Sequence, residues 1–541
     1  MSLEQTATQP GQRAGRSTFA LPLRIFFVVA LLLSTFGGAF GALTPGASAA
    51  TTTFTVTSTA DTITPLACAT PIANACTLRE AIIEANALAL VTPADTYVVN
   101  LDSTATYILT LSGRTEDNSA TGDLDIKAKV TLNGKGTGAG TGAIIQGNDP
   151  NVQNPDLTLE DRVFQVFGGY DVSFNDLTIE DGYAYQEKGG GILHDGGATA
   201  GGTLTLNNVI VTDNDTGGVP DGVGAAIYNG ADRTLTLNNS TVSNNGKNTT
   251  DQPGDGGGIY NDGIATLTNS TVTGNYAGSG GGIYNTGTLA LTGSTVGINS
   301  ANNTYNGITY VGGDGGGIYN TGTAMLAGST VSKNSANTSN NIGGNGGGIY
   351  NVGTMTASGS TVSANTTSFN NNNGTTGNGG GIYTGGMFTL KDNSSIDGNS
   401  AATGGGVYNI GELIVTASTL SNNASFSTNN IFGFGGGGGG GLFNGGSASI
   451  ADSRVAGNSA IVGGGISNAT TNAQPRTASA AQLAPGTLTL SNTVVSANTA
   501  QFFGGGIYNA QGTLAITGGA LSNNSASGFF FFGFGGQGAD S

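Results

Sequence analysis

The residues best suited to acid–base or metal chemistry crowd into one stretch, 149–195. It holds Asp149, Asp156, Glu160, Asp161, Asp171, Asp176, Glu180, Asp181, Glu187 and Asp195, with Arg162, Lys188 and His194 beside them. Two carboxylates about 5–10 Å apart would suit glycoside hydrolysis. Acidic calcium ligands beside a basic proton acceptor would suit cleavage of an acidic polysaccharide. A catalytic or calcium site, if the chain has one, is expected here. A plainer reading exists. Glu180-Asp181 falls at a corner that later units fill with Asn, and His194 stands where later units carry Asn. His194 is the sole histidine, so no Ser-His-Asp arrangement can form beyond it. Further along, Asp262, Asp314, Asp392, Asp397, Glu412 and Asp452 sit at different points of their units, as do Lys333, Lys391, Arg454 and Arg476. Each reads as a solvated surface charge, and no carboxylate column recurs.

What does recur is Gly-Gly-Gly-Ile-Tyr-Asn. The triplet and its variants begin at 189, 224, 256, 280, 315, 346, 379, 404, 439, 463 and 504, with a shortest interval of 24. Longer intervals read as one coil plus an inserted loop, mostly after the Asn that ends each unit. Within Gly280–Asn299 the apolar residues have period two: Ile283, then Leu289 and Leu291, then Val296. Three short half-buried strands separated by Gly or Asn corners follow from this. A 24-residue coil leaves no room for a ten-residue helix, and propeller blades need about twice the length. The fold class is all-β: one right-handed parallel β-helix with three short strands per coil, spanning 126–541. Residues 50–125 form its N-terminal cap, with one short helix from Thr77 to about Ala89 whose Leu78, Ile82, Ile83 and Ala85 can plug the core.

Alignment on Ser-Thr-Val exposes columns. Three residues after each inward Val stands an Asn: Asn214, Asn245, Asn275, Asn299, Asn334, Asn365, Asn399, Asn423, Asn458, Asn498 and Asn524. Coils about 4.8 Å apart let identical amides bond one to the next. Asn also tolerates the left-handed backbone of a sharp corner, so the column is assigned to structure. Asn229, Asn261, Asn285, Asn320, Asn351, Asn409, Asn444, Asn468 and Asn509 form a second ladder. An aromatic column precedes it: Tyr228, Tyr260, Tyr284, Tyr319, Tyr350, Tyr383 and Tyr408, then Phe443. With Ile inward these rings point outward. They either stack to shield the sheet or form a ligand-binding stripe for sugars or a partner.

The chain has 541 residues, a formal net charge of -17 and only 9% charged residues. Without a basic stripe, nucleic acid is not a partner. Arg13, Arg16 and Arg24 precede an apolar run from Ile25 to about Phe36, and Ala47-Ser48-Ala49 offers a cleavage site. Residues 1–49 therefore read as a signal peptide, and no later segment reads as a membrane span. Cys68 and Cys76 would then meet an oxidising compartment, where a local disulfide is expected. The triplets precede strands, so they are not a nucleotide fingerprint; no cofactor or metal is expected. Ice binding needs a regular outward Thr column. Thr236, Thr266, Ala290, Met325 and Thr356 are too broken for it.

Phe54-Thr55-Val56-Thr57-Ser58-Thr59-Ala60-Asp61, with Cys76-Thr77-Leu78-Arg79-Glu80-Ala81-Ile82 and Asn86, resembles the CSLREA domain of exported bacterial proteins. Thr77 replaces its usual Ser. The Gly-Gly-Gly-Ile-Tyr-Asn and Ser-Thr-Val-x-x-Asn units are similar to the β-helix repeats that follow that domain. They are more loosely similar to the repeats of chlamydial polymorphic outer-membrane proteins. The resemblance covers about 54–526 and implies a secreted or cell-surface protein, in adhesion or envelope interaction, with surface glycans or host or envelope proteins as partners. The expected function is a non-enzymatic scaffold. The alternative is a carbohydrate-active β-helix enzyme, a polysaccharide lyase or glycosidase, with its site near 149–195.

Overall fold

The structure is a computed structural model. It describes residues 49–528, apart from 70–74, 114–115, 139, 148–160, 198, 218–221, 247–253, 303, 306–309, 312, 338–343, 368, 371–374, 427–437, 470–485 and 511. The export-signal features before residue 49, the acidic residues Asp149, Asp156 and Glu160, Arg476, and the Phe-rich end from 529 lie outside the described residues.

The chain winds into a parallel β-helix. Each coil contributes one strand to each of several sheets, and each strand pairs in register with its equivalent in the next coil. Among the described residues the first sheet has 15 strands, from Thr51–Thr55 to Thr513–Thr517; the second has 13, from Leu124–Ile126 to Ile507–Ala510; the third has 14, from Thr106–Ile108 to Ala520–Ser522. The Ile-Tyr-Asn segments build the second sheet and Ser-Thr-Val the third. Period-two alternation does this: Ile283, Leu289, Leu291 and Val296 all point inward and are buried, as are their equivalents in neighbouring coils. Burial of each such side chain is worth about 1.5–3 kcal/mol, repeated at every coil.

From Tyr276 onward a fourth sheet joins the three expected ones. Among the described residues it has nine strands, from Tyr276–Ala277 to Ser525–Ala526. All but Ser459–Val462 and Thr499–Phe503 are two residues long, too short to show alternation in sequence. They form because the chain stays extended after the ladder Asn: Ser300 N–H donates to Asn275 O, and Ser335 N–H to Asn299 O, both at 2.9 Å. The first sheet also begins at Thr51, inside the cap segment, and a second-sheet strand spans Leu124–Ile126.

The corners explain the Asn column, with one correction. The left-handed residue is the one before the ladder Asn: Asn244, Gly274, Ile298, Lys333, Ala364 and Gly398 all have φ between 52° and 67°. The ladder Asn itself turns its side chain into the stack. Asn299 Nδ2 donates to Asn334 Oδ1 and to Val272 O, both at 3.0 Å, while Asn299 N–H donates to the same Asn334 Oδ1 at 2.9 Å. The pattern runs from Asn214 to Asn524. It thus connects Asn245, Asn275, Asn299, Asn334, Asn365, Asn399, Asn423, Asn458 and Asn498. The Gly triplet fits over this ladder. Gly315 has φ 67°, and a Cβ on Gly317 would lie 2.8 Å from Asn334 Nδ2.

A serine ladder was not anticipated. Ser270 N–H donates to Ser294 Oγ, Ser294 N–H to Ser329 Oγ and Ser329 N–H to Ser360 Oγ, at 3.1–3.2 Å. The signal was in plain view, as the Ser of every Ser-Thr-Val. These buried columns are why the units look alike.

Asn334→Ala should strand both donors of Asn299 in the core. Each buried donor left unpaired costs about 1–3 kcal/mol, so urea unfolding should show a loss of at least about 2 kcal/mol, against almost none for Lys333→Ala. Ile298 is 63% exposed yet holds φ 61°. A β-branched residue there is strained by about 1–2 kcal/mol. Ile298→Gly should therefore raise the unfolding midpoint.

Candidate functional site

Among the described residues, Asp171, Asp176 and Asp181 of the acidic stretch do not converge in space. Asp171 Oδ1 accepts from Thr203 N–H, Asp176 Oδ1 from Asn208 Nδ2, and Asp181 Oδ2 from Gln146 Nε2. These three sit at corners of the first and third sheets, and Asp176 and Asp181 have positive φ. Neighbours in sequence are carried to different faces of the coil. Glu180-Asp181 aligns with the residues before Asn214, while the ladder position itself is Gly182, whose N–H donates to Asn214 Oδ1 at 2.9 Å.

The group that does assemble surrounds Arg162. Its Nη1 lies 3.2 Å from Asp123 Oδ2 and 3.7 Å from Asp161 Oδ1, and Nη2 lies 2.5 Å from Glu187 Oε2. Burial opposes the charge on Arg162, but the three carboxylates outweigh it and hold the guanidinium protonated. Burial, with Asp161 and Asp125 close by, pushes Asp123 well up, against the pull of Arg162. Asp125 is pushed up to about 7 by burial. The carboxylates are spent on one cation, as a buried ion-pair cluster requires.

His194 starts the second ladder. Its Nδ1 lies 3.0 Å from Asn229 Oδ1, which fixes the Nδ1–H tautomer. Burial lowers it to about 4, so the ring is neutral. Asn229 Nδ2 then donates to Asn261 Oδ1, Asn261 Nδ2 to Asn285 Oδ1, and so on to Thr384, whose hydroxyl donates to Gly386 O and ends that run; a second run of amides goes from Asn409 to Asn509.

On the outer face of the second sheet the aromatic column is a continuous stack. Ring centroids from Tyr228 through Tyr260, Tyr284, Tyr319, Tyr350, Tyr383 and Tyr408 to Phe443 are 4.5–5.3 Å apart, with planes within 19°. Tyr228 and Tyr408 are buried and the others half-buried. Both faces of each internal ring meet a neighbour, so such a ring presents its edge and hydroxyl to a partner. At the N-terminal end Lys188 lies 4.1 Å over the Tyr228 ring and donates to its hydroxyl at 2.8 Å. That hydroxyl donates to Asp262 Oδ2 at 2.5 Å. Burial pushes the Tyr260 and Tyr319 phenols up to about 12, which suits stacked neutral rings and not proton abstraction.

In the cap, α1 (Leu78–Ala89) is capped by Thr77, whose Oγ1 accepts from Glu80 N–H. Leu78, Ala81, Ile82 and Ala85 are buried against the first coils, whereas Ile83 is only half-buried and Glu84 is buried in its place. Arg79 is fully enclosed. Its Nε and Nη2 meet both oxygens of Asp61 at 2.5 and 3.2 Å, and it donates to the carbonyls of Ser119, Gly122 and Asp123. Asp61 also accepts from the N–H groups of Thr110 and Leu111. Asn86 clamps Asp125 O and Lys127 N–H. The Cys-Thr-Leu-Arg-Glu-Ala residues thus tie the helix to the coil it covers. Cys68 and Cys76 are joined by a disulfide across a Cα separation of 4.6 Å.

No family model matches the chain, and no curated protein is similar to it at a significant level. Among solved structures it is similar to the A-module of a mannuronan C-5 epimerase from Azotobacter vinelandii. The match has a TM-score of 0.40 and 12% identity, and covers 83% of this chain and 95% of that one. At that identity the likeness concerns the fold alone. Among the described residues no helix is long and apolar enough to cross a membrane, and no group of three or more His, Cys, Asp or Glu could hold a metal ion.

Glu80 and Glu84 give the cap a pH dependence. Burial, then the nearby Glu84 charge, pushes Glu80 from 4.5 up to about 8; burial raises Glu84 too. A carboxyl whose folded pKa is raised stabilises fully below its unfolded value and loses that contribution as pH rises through the folded one. Cap stability should therefore fall between about pH 4.5 and pH 8, and Glu80→Gln should flatten the fall. Hydrogen exchange of the α1 amides across that range would measure it.

Proposed function

We propose that the chain is a non-enzymatic β-helix scaffold, exported to the cell surface or secreted, that acts in adhesion or envelope interaction. The partners are surface glycans or host or envelope proteins. One observation carries the reading: the buried Asn and Ser columns that recur along the stack are consumed by coil-to-coil hydrogen bonds, while the dense carboxylates are scattered over different corners or closed around Arg162. Neither pattern leaves a recurring group poised for proton transfer. The resemblance of 54–86 to the CSLREA domain supports export.

A second reading, a carbohydrate-active enzyme, is favoured by one local feature. Lys188, Tyr228 and Asp262 form a hydrogen-bonded chain with Asp195 3.9 Å from the Lys188 amine. Against it stands the burial of Tyr228, 3% exposed.

The two readings separate in a polysaccharide panel, acidic and neutral, with and without calcium, assayed for new reducing ends and for unsaturated products. The scaffold reading expects retention of some glycans without cleavage. Cleavage that vanishes in Lys188→Met or Asp195→Asn would sink it. If the tyrosine edges contact the glycan, Tyr284→Phe with Tyr319→Phe should weaken retention while preserving the stack.

A further inference from the structure

The outer face of the third sheet carries an array that the broken column of the first sheet does not. In each Thr-Val-Ser strand the Val points inward and its two neighbours point outward. The first outward column reads Thr241, Thr271, Thr295, Thr330 and Thr361 in five consecutive coils, paired in strict register, then Ser395 and Thr419. The second, two residues on, is mostly Ser or Thr, as at Ser243, Thr273, Ser332 and Ser363. The coil-to-coil bonds beneath are uniform. The N–H groups of Thr271, Thr295, Thr330 and Thr361 each donate to the preceding coil's corner Ser at 2.9 Å.

Three properties define the occupant. The first column is uncharged over these coils, and the second carries a single carboxylate, Asp397. The column threonines are half-exposed, and their hydroxyls make no hydrogen bond within the described protein, unlike the corner serines. The array is two columns wide, with about 4.8 Å between coils and about 6.6 Å between the columns along a strand, and Gly297 leaves one gap in the second column. A single glycan chain repeats in one direction, and no aromatic ring stands in either column to stack on a sugar. An uncharged partner periodic in two directions, with donors and acceptors for hydroxyls and hollows for methyl groups, is a crystal face of water. We infer that this face, from Thr241 to Thr419, binds ice. The inference goes beyond the scaffold reading and does not depend on the glycan panel.

The test is partition into slowly grown polycrystalline ice, with a co-dissolved unrelated protein as reference and microscopy of ice-crystal shape beside it. The expected result is enrichment in the ice fraction and faceted crystals. Thr295→Lys with Thr330→Lys should reduce enrichment to the reference level, and Thr288→Lys with Thr323→Lys on the first sheet should leave it unchanged. Circular dichroism checks the fold. If the lysines disturb it, Thr295→Tyr with Thr330→Tyr, which suits a strand, replaces them. No enrichment of the parent chain overturns the inference, as does equal loss in the first-sheet variant. Absence from ice together with binding to crystalline cellulose, lost in the third-sheet variant, also overturns it and assigns the face to a polysaccharide lattice.

Discussion

The spacing between coils, about 4.8 Å, governs this molecule. At that distance one side chain meets its own equivalent above and below, so a position works only if its residue can partner a copy of itself. Amides can, because each carries a donor and an acceptor. Serine hydroxyls can, when a backbone N–H supplies the donor. Parallel tyrosine rings can, by offset stacking. Like charges cannot, which is why charged residues make up only 9% of the chain and never form a column. The repeat is the list of residues that tolerate themselves as neighbours.

The ends of such a stack face the opposite problem, because there the equivalent partner is missing. The N-terminal end replaces it with unlike pairs: a helix over the core, a disulfide, and Arg79 set into Asp61 and three carbonyls. A buried charge is tolerable only with its hydrogen bonds satisfied, and Arg79 meets that condition. The Arg162 cluster lies within the early, less regular coils. Charge thus concentrates where the repeat is weakest, giving the stretch 149–195 the look of an active site in a linear reading.

This explains what could be read from the residues and what could not. Ile283, Leu289, Leu291 and Val296 disclose three sheets because alternation needs only a few residues to show. Asn299 and Asn334 disclose a ladder because the column is unbroken from Asn214 to Asn524. The fourth sheet hides in two-residue strands such as Ser300–Ala301. The left-handed corner hides because Asn244, Gly274, Ile298 and Lys333 share a backbone angle and no side-chain chemistry. The Arg162 cluster needs Asp123 and Glu187, 39 and 25 residues away, and no local pattern links them.

The same constraint separates the two surfaces that could act on a partner. On the second sheet the rings satisfy one another, and Lys188 covers the face of the first. What a partner meets there is a row of edges whose best contacts are already made. On the third sheet the hydroxyls of the column from Thr241 to Thr419 lie on equally regular positions but spend nothing internally, so their hydrogen-bonding capacity remains for whatever lies against them. Stability and recognition draw on the same groups, and a column committed to one has little left for the other. By that rule the tyrosines belong to the stack, and the threonines are the side of the repeat that faces outward in function as well as in geometry.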